Sequence, residues 1–116
     1  MIRIWLDDIR PMPEGFTHWC KRAADIKPLM ETGEVSHISF DHDLGEGGGQ
    51  MTGYHAACFI ENRAYSRKLP RLTWDIHSAN PVGRKNIEVA MRKAEEYWSA
   101  WELDDVGDHL SEQWKG

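Results

Sequence analysis

Three short apolar runs in this chain each end on an ionisable cluster, and that repetition limits the possible folds more than any other feature. Ile2, Ile4 and Leu6 alternate with Arg3 and Trp5, then run straight into Asp7-Asp8. His37-Ile38-Ser39-Phe40 leads into Asp41-His42-Asp43. Leu72, Trp74 and Ile76 alternate with polar neighbours before His77-Ser78. Alternation with period two marks strands. A further short strand is expected over Phe16–Lys21, after a loop from Asp8 to Gly15 broken by Pro11 and Pro13. The intervening segments carry helical spacing instead. Ala23–Thr32 places Ile26, Leu29 and Met30 on one stripe, with Gly33 as its stop and Pro28 tolerable only in a first turn. Tyr54–Tyr65 reads as a helix through Ala56, Ala57, Phe59 and Ile60. Asn80-Pro81 reads as an N-cap and first position. The helix it opens has Ile87, Ala90, Met91, Ala94, Tyr97 and Trp98 on one face.

Strands alternating with helices predict βαβ units and a small, mostly parallel α/β sheet of about four strands. The run ending at His77 has one polar face, which places it at a sheet edge. Ligands of such sheets bind beyond the carboxyl ends of the strands, so all three clusters are expected on one edge of the molecule. A chain of 116 residues with a 41% hydrophobic share suits one domain over 1–116, with a core over about 2–98 and an acidic, weakly patterned tail over 99–116. The net charge of −5 excludes a broad nucleic-acid-binding surface, while leaving room for a local phosphate site. Cys20 and Cys58 lack disulfide or metal spacing, the N-terminal run is broken by acids, and no stretch reaches transmembrane length. A soluble cytoplasmic protein with no membrane contact is expected; oligomeric state is not encoded legibly.

The strand-end residues suggest chemistry. Asp7, Asp8 and Asp41 are hard oxygen ligands suited to Mg²⁺ or another divalent ion, provided a turn aims the adjacent pair into one site. His42 and His77 at one site suit paired acid and base work on a phosphodiester, one taking a proton and the other giving one. Were they ligands instead, His42, His77 and an Asp would suit a transition metal. Ser78 and Asn80, entering a helix N-terminus with Arg84 and Lys85 nearby, form an anion cradle. Arg10 adds a bidentate phosphate contact, and Asp43 is placed beside the bound ligand. Gly45 to Gly53 is a glycine-rich loop, and Gly45-Glu46-Gly47-Gly48-Gly49 within it, without the Gly-Lys-Ser/Thr of a phosphate loop, reads as a lid. His18, His37, His55 and His109 have no such placement.

Leu6-Asp7-Asp8-Ile9-Arg10-Pro11, Ile38-Ser39-Phe40-Asp41-His42-Asp43-Leu44-Gly45 and Ile76-His77-Ser78-Ala79-Asn80-Pro81-Val82-Gly83-Arg84 together resemble the cyclic-phosphate processing receiver domains, a divergent branch of the response-regulator receiver fold. The likeness runs from Ile2 to about Trp98. It implies a flavodoxin/receiver-like three-layer sandwich, with the acidic pair at Asp7-Asp8, the phospho-accepting position at Asp41 and the hydroxyl position at Ser78. Two departures are visible. The segment after the first strand is short and Pro-rich, leaving little room for the usual first helix, and no later strand carries the Lys-Pro of ordinary receivers. His42 and His77 are the additions. The resemblance therefore implies a hydrolase acting on cyclic phosphates, either 2′,3′-cyclic RNA ends or cyclic nucleotides, with Asp41, His42 and His77 as catalytic residues. The alternatives are a module that binds a cyclic nucleotide without cleaving it and, less favoured, a phospho-accepting receiver.

Overall fold

The computed structural model describes residues 1–45 and 51–115, with side chains described through residue 103. Four parallel strands form one sheet: β1 (Ile2–Leu6), β2 (His18–Cys20), β3 (Val35–Phe40) and β4 (Thr73–Ile76), in the order β2-β1-β3-β4. The helices are α1 (Ile26–Glu31), entered through a 3₁₀ turn at Ala23–Asp25, α2 (Gly53–Tyr65) and α3 (Pro81–Lys115). This is the receiver-like α/β class expected from the sequence. β4 lies at an edge, Pro28 falls in the first turn of α1, and Gly33 ends that helix at φ +72°.

Register explains which side chains meet. Leu6 pairs with Cys20 and Phe40, and Phe40 with Ile76; Ile4 pairs with Ile38. These residues share one face, and they join Ile26 and Met30 of α1, Ala57 and Ile60 of α2, and Ile87, Met91 and Trp98 of α3 in a single core. The crossovers from β2 to β3 and from β3 to β4 step the same way across the sheet, so right-handed connections put their helices on the same face.

The step from β1 to β2 runs the other way and sends its connection to the opposite face. That connection is the Pro-rich loop, too short for a helix. Instead of a helical layer, this face carries Trp5 with Phe16 set edge-on against it at 5.2 Å, and the Arg3 guanidinium lies 5.5 Å over Phe16. Phe16, expected in the second strand, is part of this cover, and β2 is confined to three residues. Arg3 Nε donates to the Gly15 carbonyl at 2.6 Å and Trp5 Nε1 to the Arg10 carbonyl at 2.8 Å, pinning the loop at both ends.

α3 continues well beyond the expected end of patterning at Trp98. Arg71, from the segment before β4, donates to Glu102 Oε1 at 2.8 Å and to Ser99 Oγ at 2.9 Å, holding the next turn against the body. No helix among the described residues is long and apolar enough to cross a membrane.

Candidate functional site

The parallel ladder runs one residue past β1, β3 and β4. Asp7 N donates to Cys20 O at 3.0 Å, Asp41 N to Leu6 O at 2.8 Å, and His77 N to Phe40 O at 2.9 Å. Asp7, Asp41 and His77 are therefore fixed side by side. Each lies one residue after a core-facing position, so alternation turns all three to the side that the loop covers.

Asp7 is buried, with 1% of its surface exposed. Its Oδ1 accepts from Ile9 N and Arg10 N, both at 2.8 Å, which makes the tight turn after β1. Its Oδ2 lies 2.9 Å from His77 Nε2. The His77 ring reaches back across the sheet, stacks on Trp5 at 3.8 Å and 6°, and places Nδ1 2.8 Å from Ser39 Oγ. Asp41 Oδ1 accepts from His42 N at 2.9 Å. Burial pushes the Asp41 carboxyl above its ordinary range, and the neighbouring Asp7 charge pushes it further. The His42 amide, His77 and the Ser78 hydroxyl pull the other way without reversing the shift. Two carboxylates close together in a half-buried place resist ionising together.

An open cleft of about 310 Å³ lies over this cluster, lined by Asp7, Asp8 and Arg10, by Asp41, Asp43 and Gly45, and by Ser78 and Asn80. Asp7 and Asp8 diverge, as neighbours at a strand end do. Asp7, Asp41 and His77 each offer a ligand atom within 4.8 Å of the others, and Asp8 stands outside that group, its carboxylate against Gly45. Among the described residues, His77 replaces Asp8 in the set expected to meet around a cation.

The two histidines do not share a pocket wall. His42 sits to one side, its Nδ1 2.9 Å from Asp43 Oδ1 and 3.5 Å from Asn80 Nδ2. Asp43 is 70% exposed, so that pairing is weak. With Nδ1–H donating to Asp43, the lone pair falls on Nε2. Asn80 caps α3, its Oδ1 accepting from Gly83 N at 3.0 Å. Arg10 lines the cleft and donates through one terminal nitrogen to the His77 carbonyl at 2.7 Å. Arg84 does not line it; its guanidinium bridges the carbonyls of Ile76 and Ser78 at 2.8 and 3.2 Å, bracing the turn into α3. Lys85 is exposed and away from the cleft. Ser78 Oγ accepts from Asn80 N at 3.1 Å.

Several contributors are invisible in the motifs. Ser39 and Trp5 hold His77, and a polar residue two positions before Asp41 on an alternating strand was the available signal. Gly53 and Gly83 are there for close approach: a Cβ at Gly53 would overlap the Asp41 carbonyl, and one at Gly83 would overlap the His42 ring. Gly83→Ala is accordingly expected to cost about 1–3 kcal/mol of stability through overpacking. In a His42→Ala background most of that penalty should vanish. Chemical denaturation of the four proteins checks this, and an equal penalty in both backgrounds would refute the contact.

His18, His37 and His55 hydrogen-bond to Thr17, Thr73 and Thr52, as structural histidines do. The stretch 46–50, the middle of the expected lid, and the His109 side chain lie outside the described residues.

No curated protein and no solved structure matches the chain. The family described as cyclic-phosphate processing receiver domain matches over residues 2–93. That span holds all four strands, α1, α2, the first turns of α3 and every cleft residue. With the strand-end acids, the His77 cluster and the missing helical layer accounted for, the chain belongs to the cyclic-phosphate processing receiver domain family.

Proposed function

We propose that this domain hydrolyses a cyclic phosphate in the cleft over Asp7, Asp41 and His77, with a divalent cation held by those three residues. The observation that carries the reading is the convergence of two carboxylates and an imidazole nitrogen within 4.8 Å of one another, both carboxylates lining the cleft and the imidazole lying beside it. Four carboxylates line or floor the cleft, and an anionic substrate needs positive charge there. The donor set suits a cation: Asp41 carries repulsion from Asp7 that its neighbours offset only in part, and a cation would offset the rest. Oxygen and imidazole ligands together suit Mn²⁺ or Zn²⁺ better than the all-oxygen preference of Mg²⁺. Such an ion would supply charge stabilisation at phosphoryl oxygens and help activate water.

The chain's own residues supply the rest. Arg10, steadied by its bond to the His77 carbonyl, has guanidinium N–H groups left to bind the phosphate. Ser78 and the α3 N-terminus flank it. In this reading His42, whose Nε2 has no protein partner among the described residues, is the group that moves a proton between water and the leaving oxygen. His77, with Nε2 beside Asp7 to hold the cation and Nδ1 bonded to Ser39, has no nitrogen left for proton transfer to the substrate.

Replacing Asp41 with Asn tests the cation site. A carboxyl whose folded pKa is raised binds more protons folded than unfolded, so its contribution to stability falls as pH rises from its ordinary value near 3.8 through the raised folded value. Asp41→Asn should therefore raise Tm by a few degrees at pH 7 without added metal, and flatten the stability profile in the acidic range. Mn²⁺ should raise the Tm of the native chain and leave the variant unmoved. A native Tm indifferent to Mn²⁺ and Zn²⁺ would sink the cation site.

One observation favours a second reading, in which the domain binds a cyclic nucleotide without cleaving it: neither imidazole lines the cleft. Chromatography of a 2′,3′-cyclic nucleotide after incubation separates the two, as opened monoester or as intact ligand.

A further inference from the structure

Asp7, His77 and Ser39 form a continuous hydrogen-bonded line: Asp7 Oδ2 to His77 Nε2 at 2.9 Å, and His77 Nδ1 to Ser39 Oγ at 2.8 Å. The residue types match a nucleophilic triad, but the geometry excludes that chemistry. Ser39, the penultimate residue of β3, is 3% exposed and does not line the cleft. Its hydroxyl cannot reach a substrate. A buried serine bonded to a histidine at the edge of a candidate cation site calls for another explanation.

The line leaves one choice open. In a neutral ring whose Nε2–H donates to the Asp7 carboxylate, Nδ1 is a bare lone pair, and its partner must donate. For the same ring to offer its Nε2 lone pair to a cation, the proton must sit on Nδ1, and the partner there must accept. A backbone carbonyl or a carboxylate, the usual partner of a ligating histidine, serves only the second state. An apolar residue serves neither. A hydroxyl rotates to serve both.

We propose that Ser39 is a positioning residue that lets His77 exchange between a proton-bearing and a cation-binding Nε2, so that the site fills and empties its cation reversibly. The inference rests on the cation reading above and deepens it. Across the exchange the imidazole stays neutral: the Nε2 proton leaves to solvent, Nδ1 takes one from solvent, and the Ser39 O–H turns from donor to acceptor. Trp5, stacked on the ring, keeps the imidazole plane fixed while the proton changes sides.

Nitrogen-15 NMR of the imidazole in the full chain reads the exchange without any substitution. His77 should show a protonated Nε2 and an unprotonated Nδ1 in the metal-free protein, and the reverse on titration with Zn²⁺. Calorimetry then compares variants: Ser39→Ala should weaken Zn²⁺ binding about 10–100-fold, and Ser39→Thr, which keeps the hydroxyl, should restore it. If the native chain binds Zn²⁺ but Ser39→Ala binds equally well, or Nδ1 is protonated throughout, the Ser39 inference is overturned and the cation site stands. If the native chain binds no Zn²⁺, the cation reading and this inference fall together.

Discussion

Replacing Asp7 with alanine should lower the stability of the domain by about 2–4 kcal/mol, a fall in Tm of roughly 10–20 °C. One buried aspartate organises three things at once. Its Oδ1 accepts two loop amides at 2.8 Å, setting the turn that starts the Pro-rich cover. Its Oδ2 takes the His77 ring at 2.9 Å, and its carbonyl accepts from Trp19 Nε1 at 2.6 Å. Alanine keeps the last contact and loses the others, leaving a mostly buried imidazole nitrogen without its partner. Asn retains the amide acceptor, so Asp7→Asn should lose less stability while still abolishing cation binding. Urea denaturation measures both. A loss below 1 kcal/mol for the alanine variant would mean that the loop, not the carboxylate, holds the turn.

His42→Ala should reduce turnover of a cyclic phosphate by about 10²–10⁴-fold, the usual share of a positioned acid or base, while changing stability little. The ring, 17% exposed, lies against Gly83 outside the core, and its closest hydrogen-bond partner, Asp43, is largely exposed. Its removal therefore leaves the core and the Asp7 cluster untouched. Asp43→Asn should cost only a few-fold, because the exposed carboxylate merely biases which nitrogen carries the proton. Single-turnover kinetics with thermal denaturation on the same samples make the check. Unchanged turnover in a folded His42→Ala protein would remove His42 from the chemistry.

The parallel strands, their order of appearance and the convergence of their ends were legible because alternation and punctuation are local signals. Leu6-Asp7, Phe40-Asp41 and Ile76-His77 each mark a last core-facing residue followed by one turned to the other face. Side-chain destinations were less legible. Two histidines at strand ends look equivalent in a sequence, yet one residue of offset separates them. His77 directly follows its strand and folds back onto Trp5. His42 comes one position later than its strand's acid and swings toward Asn80 and Gly83. The same offset parts Asp8 from Asp7. Arg84 looked like a phosphate ligand because it follows a helix N-terminus, but it does not line the cleft, and one of its terminal nitrogens braces carbonyls left by the turn from β4. The missing helical layer was readable from Pro11 and Pro13, whereas its replacement by Phe16 on Trp5 depends on tertiary contact. The continuation of α3 past Trp98 also escaped the pattern, since the Arg71 contact that holds its next turn joins residues about thirty positions apart.

In the proposed reaction a cyclic phosphate is opened over the Asp7–Asp41–His77 cluster. Phosphorus-31 NMR of a 2′,3′-cyclic nucleoside monophosphate, followed with the full chain and Mn²⁺ added at a catalytic level, tests it most directly. The resonance of the strained ring should disappear as that of an acyclic monoester grows, with no conversion by Asp41→Asn and a much slower one by His42→Ala. A cyclic resonance that persists unchanged with the native protein, or conversion equally fast with Asp41→Asn, would contradict the account.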